Sequence, residues 1–232
     1  MILRATLFLW VAATMVAAFL WAPVVPVLGP TTRVLYFHIP SAWITVLALG
    51  WSMLHSALYL RTRDLKHDDH AAAAAELGLL FCIAATVTGS LWAHAMWGSY
   101  WNWDPRETSI FFLMLIYGAY LAMRSSIDEP ARRARLSAIY SCIAFVAVPF
   151  LMFVVPRIYF SLHPDPIINT RGKVDMDPRI RWMFLSMLLA FTALFFWMLS
   201  LRVRLGRFER MHEARTDDHA HEAAAMAAGG RN

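Results

Sequence analysis

LSAIYSCIAFVAVPFLMFVV, residues 136–155, runs for twenty positions without a charged side chain. At about 1.5 Å of rise per residue, such a run spans the roughly 30 Å hydrocarbon core of a bilayer. It starts beside Arg132, Arg133 and Arg135 and stops just before Arg157, so charge resumes where the apolar medium would end. Five other stretches read the same way: residues 5–25, 39–60, 77–96, 108–123 (the shortest) and 182–201. Composition agrees, with 59% hydrophobic against 16% charged residues in 232 and a mean hydropathy of +0.49. These values point away from a water-soluble globule. The expected fold is an all-α integral membrane protein of six transmembrane helices, forming one domain over 1–205. The segment 206–232 is expected to be a cytoplasmic, largely disordered tail, because TDDHAHEAAAMAAGGRN carries no apolar stripe.

The formal charge of +5 would suggest nucleic acid in a soluble protein, but here the basic residues cluster at helix ends and in loops. Of the 21 Lys and Arg, 14 fall at the N-terminus, in alternate loops and in the tail: Arg4, then 61–66, 124–135 and 202–231. The positive-inside bias makes that side, with both termini, cytoplasmic. The charged connectors RTRDLKHDDH (61–70) and RSSIDEPARRAR (124–135) read as solvated faces or headgroup contacts. Arg4 precedes an apolar run longer than a signal-peptide core, so the first run reads as a retained helix. Cys82 and Cys142 each sit inside an apolar run and form no C-x-x-C pair, which leaves neither thiol redox chemistry nor covalent haem attachment.

The outward loops differ in character. WAHAMWGSYWNWDPRETS, residues 92–109, places Trp92, Trp97, Tyr100, Trp101 and Trp103 within twelve residues around Gly98. An aromatic belt would spread tryptophans over many helices. This density suits a flat, apolar ligand instead, with Gly98 permitting close approach. Asp104, Pro105 and Glu107 also fit an N-cap, a proline at the first helical position and an acidic third position, and Asp177-Pro178 repeats the device.

Among nine histidines, His38 in VLYFHIP and His163 in YFSLHPDP stand out, each on an outward segment, next to proline and after apolar residues. Two imidazoles from opposite sides can ligate a porphyrin iron axially. Pro40 suits a first helical turn, which would hold His38 just outside the second helix. His55 lies inside that helix, and His94 sits one turn before the aromatic cluster. His212, His219 and His221 belong to the tail. Haem propionates need basic partners, and Arg33, Arg106, Arg157, Arg171 and Lys173 are the outward candidates.

WGSYWNWDPRET and the upstream TGSLWAHAM, together with VLYFHIPSAW and YFSLHP, resemble the tryptophan-rich haem-handling membrane proteins of cytochrome c biogenesis. Length and helix count are similar to the haem exporter protein C (CcmC) branch. The resemblance implies a multi-pass protein of the bacterial inner membrane with its tryptophan-rich loop on the periplasmic side. It implies His38 and His163 as axial ligands of haem b (iron protoporphyrin IX), with Trp97, Gly98, Trp101, Trp103 and Asp104 as platform and Arg33 and Arg157 near the propionates. It also implies delivery to a CcmE-type periplasmic haem chaperone, with a CcmAB-type ABC transporter complex and a CcmD-type small subunit as partners, and no enzymatic turnover. The ending Asp104-Pro105-Arg106-Glu107-Thr108 is closer to the larger CcsA-type synthase branch, the alternative reading. A membrane metalloenzyme is a second alternative, although no H-E-x-x-H pattern or paired intramembrane carboxylates mark one.

Overall fold

The computed structural model describes residues 2–25, 28–163 and 177–229, with side chains described over 5–211 of these. Among the described residues all regular structure is helical: α1 (Ile2–Leu20), α2 (Thr32–Thr62), α3 (Leu65–Trp97), α4 (Pro105–Ser125), α5 (Pro130–Ile158) and α6 (Pro178–Gly229). Helices α2 to α6 each carry an apolar stretch long enough to cross a membrane, while the apolar part of α1, Ala5–Leu20, is shorter. The first helix ends before the expected residue 25 because Pro23 disfavours helical backbone at its predecessor.

Helices α2 and α3 form the central hairpin, turning through Arg63 in the left-handed conformation (φ 60°) and Asp64, whose carboxylate caps α3 at Lys66 N (2.9 Å). Small residues let the two helices approach: Ala71, Ala73, Ala74 and Ala75 are buried, and a Cβ on Gly78 would come within 2.6 Å of Leu49. On one flank α1 and α6 pack through Ala18, Ile44, Leu77, Phe81, Met187, Phe195 and Leu199. On the other, α4 and α5 pack through Leu49, Cys82, Leu113, Tyr117, Tyr120 and Val148. Outward-facing Phe8, Leu80, Val87, Phe112, Leu115, Ile143 and Leu189 are largely exposed, as lipid contact requires.

Two expectations are corrected. Helix α2 starts at Thr32, after a 3-10 turn over Gly29–Thr31, so His38 lies inside the helix and Pro40 in its interior. The breakers of the preceding segment end at Pro30, which opens the turn from its favoured position. The charged run 65–70 is the first part of α3 and not a solvated connector. Asp68 is buried in a bidentate pair with Arg124 (2.8 and 2.7 Å), and Asp69 pairs with Arg210 and Arg207 on α6. Helical backbone continues past residue 205 to Gly229. The Ala-rich composition of 213–228 favours helix even without an apolar stripe.

Helix α5 is not regular. Pro149 has no N–H to donate, and five residues from Phe150 to Val154 form a π segment before α-helix resumes at Val155.

Arg124→Ala leaves the Asp68 carboxylate, 7% exposed, buried and unpaired. The expected loss is about 3–5 kcal/mol, seen as a lowered unfolding temperature in detergent. Exposed Arg132→Ala is the control with little effect.

Candidate functional site

The π segment turns Leu151, Met152 and Phe153 toward a cavity of about 420 Å³ enclosed by α2, α3, α4 and α5. That volume is within the range of small-molecule and cofactor sites. Its walls are largely apolar, with Val34, Ile39 and Ile110 opposite the π segment, and His38 and His163 both line it.

His38 sits in the second turn of α2 and reaches across to α3, where its Nδ1 lies 2.8 Å from the Ala85 carbonyl oxygen. A carbonyl only accepts, so Nδ1 carries the proton and Nε2 keeps its lone pair. Gly89 makes the approach possible, because a Cβ there would lie 2.8 Å from His38 Cε1.

His163 is placed by Asp104. The Asp104 carboxylate caps α4 by accepting from Arg106 N (2.9 Å), and Glu107 Oε2 completes the capping box at Asp104 N (3.3 Å). The same carboxylate accepts from Ser161 Oγ (3.0 Å) and Leu162 N (2.7 Å), and His163 Nδ1 lies 3.1 Å from its Oδ1. One buried side chain therefore starts a helix and clamps the segment leaving α5. Burial pushes the His163 imidazole down to about 4, with Arg106 and His38 adding to the effect and Asp104 opposing it. Burial raises the Asp104 carboxyl, but the Arg106 and Leu162 N–H groups, the Ser161 hydroxyl and His163 outweigh it and leave the group below its ordinary value. The pair is thus a neutral imidazole donating from Nδ1 to a carboxylate, again with Nε2 bearing the lone pair. No hydrogen bond among the described residues engages Nε2 of either ring.

The tryptophans take different positions. Trp92 and Trp101 line the cavity. Trp97 stands edge-on to the His163 ring at 5.0 Å and Trp92 lies at 5.8 Å, so both brace that imidazole. Trp92 is 5% exposed, and its indole Nε1–H has no acceptor among the described residues. Trp103, at φ 56°, is 69% exposed and packs edge-on to Trp101 and Phe111. Gly98, at φ 77°, closes α3 through its N–H to His94 O and lies off the cavity wall, as do Trp97, Trp103 and Asp104.

Of the candidate arginines, Arg106 and Arg157 line the cavity and Arg33 does not. Arg157 Nη1 donates to Phe153 O (2.6 Å) in the π segment. Arg171 and Lys173 lie outside the described residues. His94 stacks on Tyr100 at 4.1 Å, away from the cavity. His55 packs against His67 and His70 at the other end of the hairpin. Among the described residues no cluster of His, Cys, Asp and Glu could hold a bare metal ion. Sequence reasoning missed Gly89 and the π segment. A glycine inside an apolar helix was the available signal for the first, and Pro149 for the second.

The Heme exporter protein C (CcmC) sequence profile matches residues 1–218. The chain is similar to Heme exporter protein C of Bradyrhizobium diazoefficiens, 34% identical over 72% of this chain and 63% of that protein. The Rhodobacter capsulatus protein of the same name is 29% identical over 82% and 78% respectively. The Escherichia coli K12 protein is 32% identical over 66% and 61%. The chain thus spans under two thirds of the Bradyrhizobium and Escherichia relatives it matches.

An unfolded histidine titrates near 6.5, so between about 6.5 and 4 the unfolded chain binds a proton at His163 that the folded chain does not. Stability is expected to fall as pH drops through that window. Unfolding temperature measured against pH tests this, and His163→Gln should flatten the slope there.

Proposed function

Because the chain belongs to the Heme exporter protein C (CcmC) family, we propose that it binds haem b, iron protoporphyrin IX, between His38 and His163. It then passes the haem to a chaperone for c-type cytochrome maturation. The observation that carries this reading is that two imidazoles from different parts of the chain line one apolar cavity. Each has its Nδ1 occupied by an acceptor and its Nε2 unengaged. Metal-ligating histidines are ordinarily held in this way, the outer nitrogen tied and the inner one presented.

The rest of the cavity fits the same cargo. Apolar walls suit the porphyrin face, and Trp101 and Trp92 offer ring contacts. Haem supplies an iron that accepts two nitrogen lone pairs and two propionates that need donors. Arg106 and Arg157 lie on the wall, and the Trp92 indole N–H is a further donor. Trp97, Trp103 and Asp104 support this arrangement from behind, by bracing or positioning His163 and Trp101, and Gly98 ends α3, instead of the four forming a flat platform. Arg33 remains a candidate for the rim.

The site lies at the end of the bundle opposite the Arg-rich turns, which is the periplasmic side of an inner membrane by the positive-inside bias. Haem ligated there is accessible to a CcmE-type chaperone, with CcmAB-type transporter subunits and a CcmD-type small subunit as assembly partners. The chemistry of this reading is binding and release.

Purified protein is expected to show a low-spin haem spectrum, and His38→Ala and His163→Ala each convert it to high spin or lose the haem. Haem retained unchanged in both variants sinks the two-histidine site. Gly89→Ala drives His38 off the Ala85 carbonyl and should weaken haem binding about 10–100-fold in a titration followed at the Soret band. Gly118→Ala, where nothing lies within 4 Å of the added Cβ, should leave it unchanged.

A further inference from the structure

The two imidazoles are not held alike. His38 Nδ1 donates to a neutral backbone carbonyl, Ala85 O, at 2.8 Å. His163 Nδ1 faces a carboxylate, Asp104 Oδ1, at 3.1 Å, and that carboxylate is 1% exposed. A hydrogen bond to an ionised acceptor is roughly twice as strong as one between neutral groups. An anion pulling on the Nδ1 proton leaves Nε2 more basic than a carbonyl does. Resting on the two-histidine reading above, we propose that Asp104 is a positioning residue that makes His163 the stronger of two unequal haem ligands.

Geometry around Asp104 supports a tuned carboxylate over a plain helix cap. A cap needs one oxygen and one N–H, which Oδ1 and Arg106 N provide. The second oxygen is spent on Leu162 N (2.7 Å), one residue before His163, and the Ser161 hydroxyl shares Oδ1 with the imidazole. His163 N in turn donates to Ser161 Oγ (3.1 Å). Ring and backbone are therefore both referred to one carboxylate. Trp97 and Trp92 pack against the ring. Each Nδ1 also has a hydroxyl nearby, Ser161 at 3.3 Å from His163 and Thr88 at 3.4 Å from His38, so the difference between the rings is the acceptor, a carboxylate for His163 and the Ala85 carbonyl for His38. A more basic ligand favours ferric over ferrous iron, so reduction should weaken the His163 bond selectively.

Asp104→Asn tests this, because asparagine caps a helix as well as aspartate does while the charge is gone. The readouts are the midpoint potential of the bound haem and the affinities for ferric and ferrous haem. The expected result is a positive shift in potential and a ferric affinity lower by about 10–100-fold, with the ferrous affinity less changed. Asp104→Glu, which restores the charge, should recover part of both. A potential and ferric affinity equal to wild type in a variant that binds haem overturn the proposal.

If Asp104→Asn does not accumulate, Ser161→Ala decides. Removing a donor that competes for Oδ1 should strengthen the bond to His163 and shift the potential negative, whereas an unchanged or positive shift overturns the proposal. Spectra of His38→Ala and His163→Ala that match wild type sink the two-histidine reading itself. A flat Asp104→Asn result beside altered histidine spectra sinks only the inequality of the ligands.

Discussion

In hydrocarbon a helix gains little by hiding leucine from its surroundings, because lipid tails are as apolar as leucine. Association must come from close backbone approach and from polar ties. The hairpin of α2 and α3 meets this constraint with alanines along 71–75 and glycines at 78 and 89. Leu49 and His38 fill the positions where a Cβ would stand. Both packing clusters of the bundle are built against that hairpin. The narrow spacing that lets the hairpin pack also brings a ring on α2 within bonding distance of a carbonyl on α3.

The polar ties divide between the two ends. At the Arg-rich end Asp68, Asp69 and Glu76, all on α3, pair with Arg124 on α4 and with Arg202, Arg207 and Arg210 on α6. These pairs locate two neighbours around α3 where packing alone is non-directional. Burying such charges is costly unless each is matched, and here each carboxylate faces guanidinium. At the other end a single carboxylate, Asp104, joins the start of α4 to the exit of α5. One end of the bundle is therefore tied by redundant ion pairs, and the other, where the cavity lies, by the hydrogen bonds of Asp104 and by the tie of His38 to Ala85.

The aromatic segment gains meaning from this arrangement. Density of tryptophan in the sequence suggested one flat surface. The bundle instead uses Trp97 and Trp92 to brace an imidazole, Trp101 and Trp92 as wall, and Trp103 as an outer cover on Trp101 and Phe111. Rigid rings around the loop that carries His163 hold it without hydrogen bonds of their own, which suits a segment such as 159–163 that is not itself helical.

What the sequence by itself determined were the features that depend on neighbours within a turn or two, or on the length of an apolar run. These include the membrane class, the spans of the later helices, and the caps at Asp104 and Asp177. It misplaced the start of α2, because Pro40 reads as a helix-opening proline although the breaker that matters is Pro30. It also took the charges of 65–70 for a solvated connector, since their partners are not local: Asp68 finds Arg124 56 positions away, and Asp69 finds Arg210 at 141. Only the tertiary structure decided that His38 meets Ala85 at a separation of 47 and that Asp104 meets Ser161 at 57. Which nitrogen of an imidazole remains available is set by an acceptor that no local pattern encodes, because that acceptor arrives from another helix once the chain has packed.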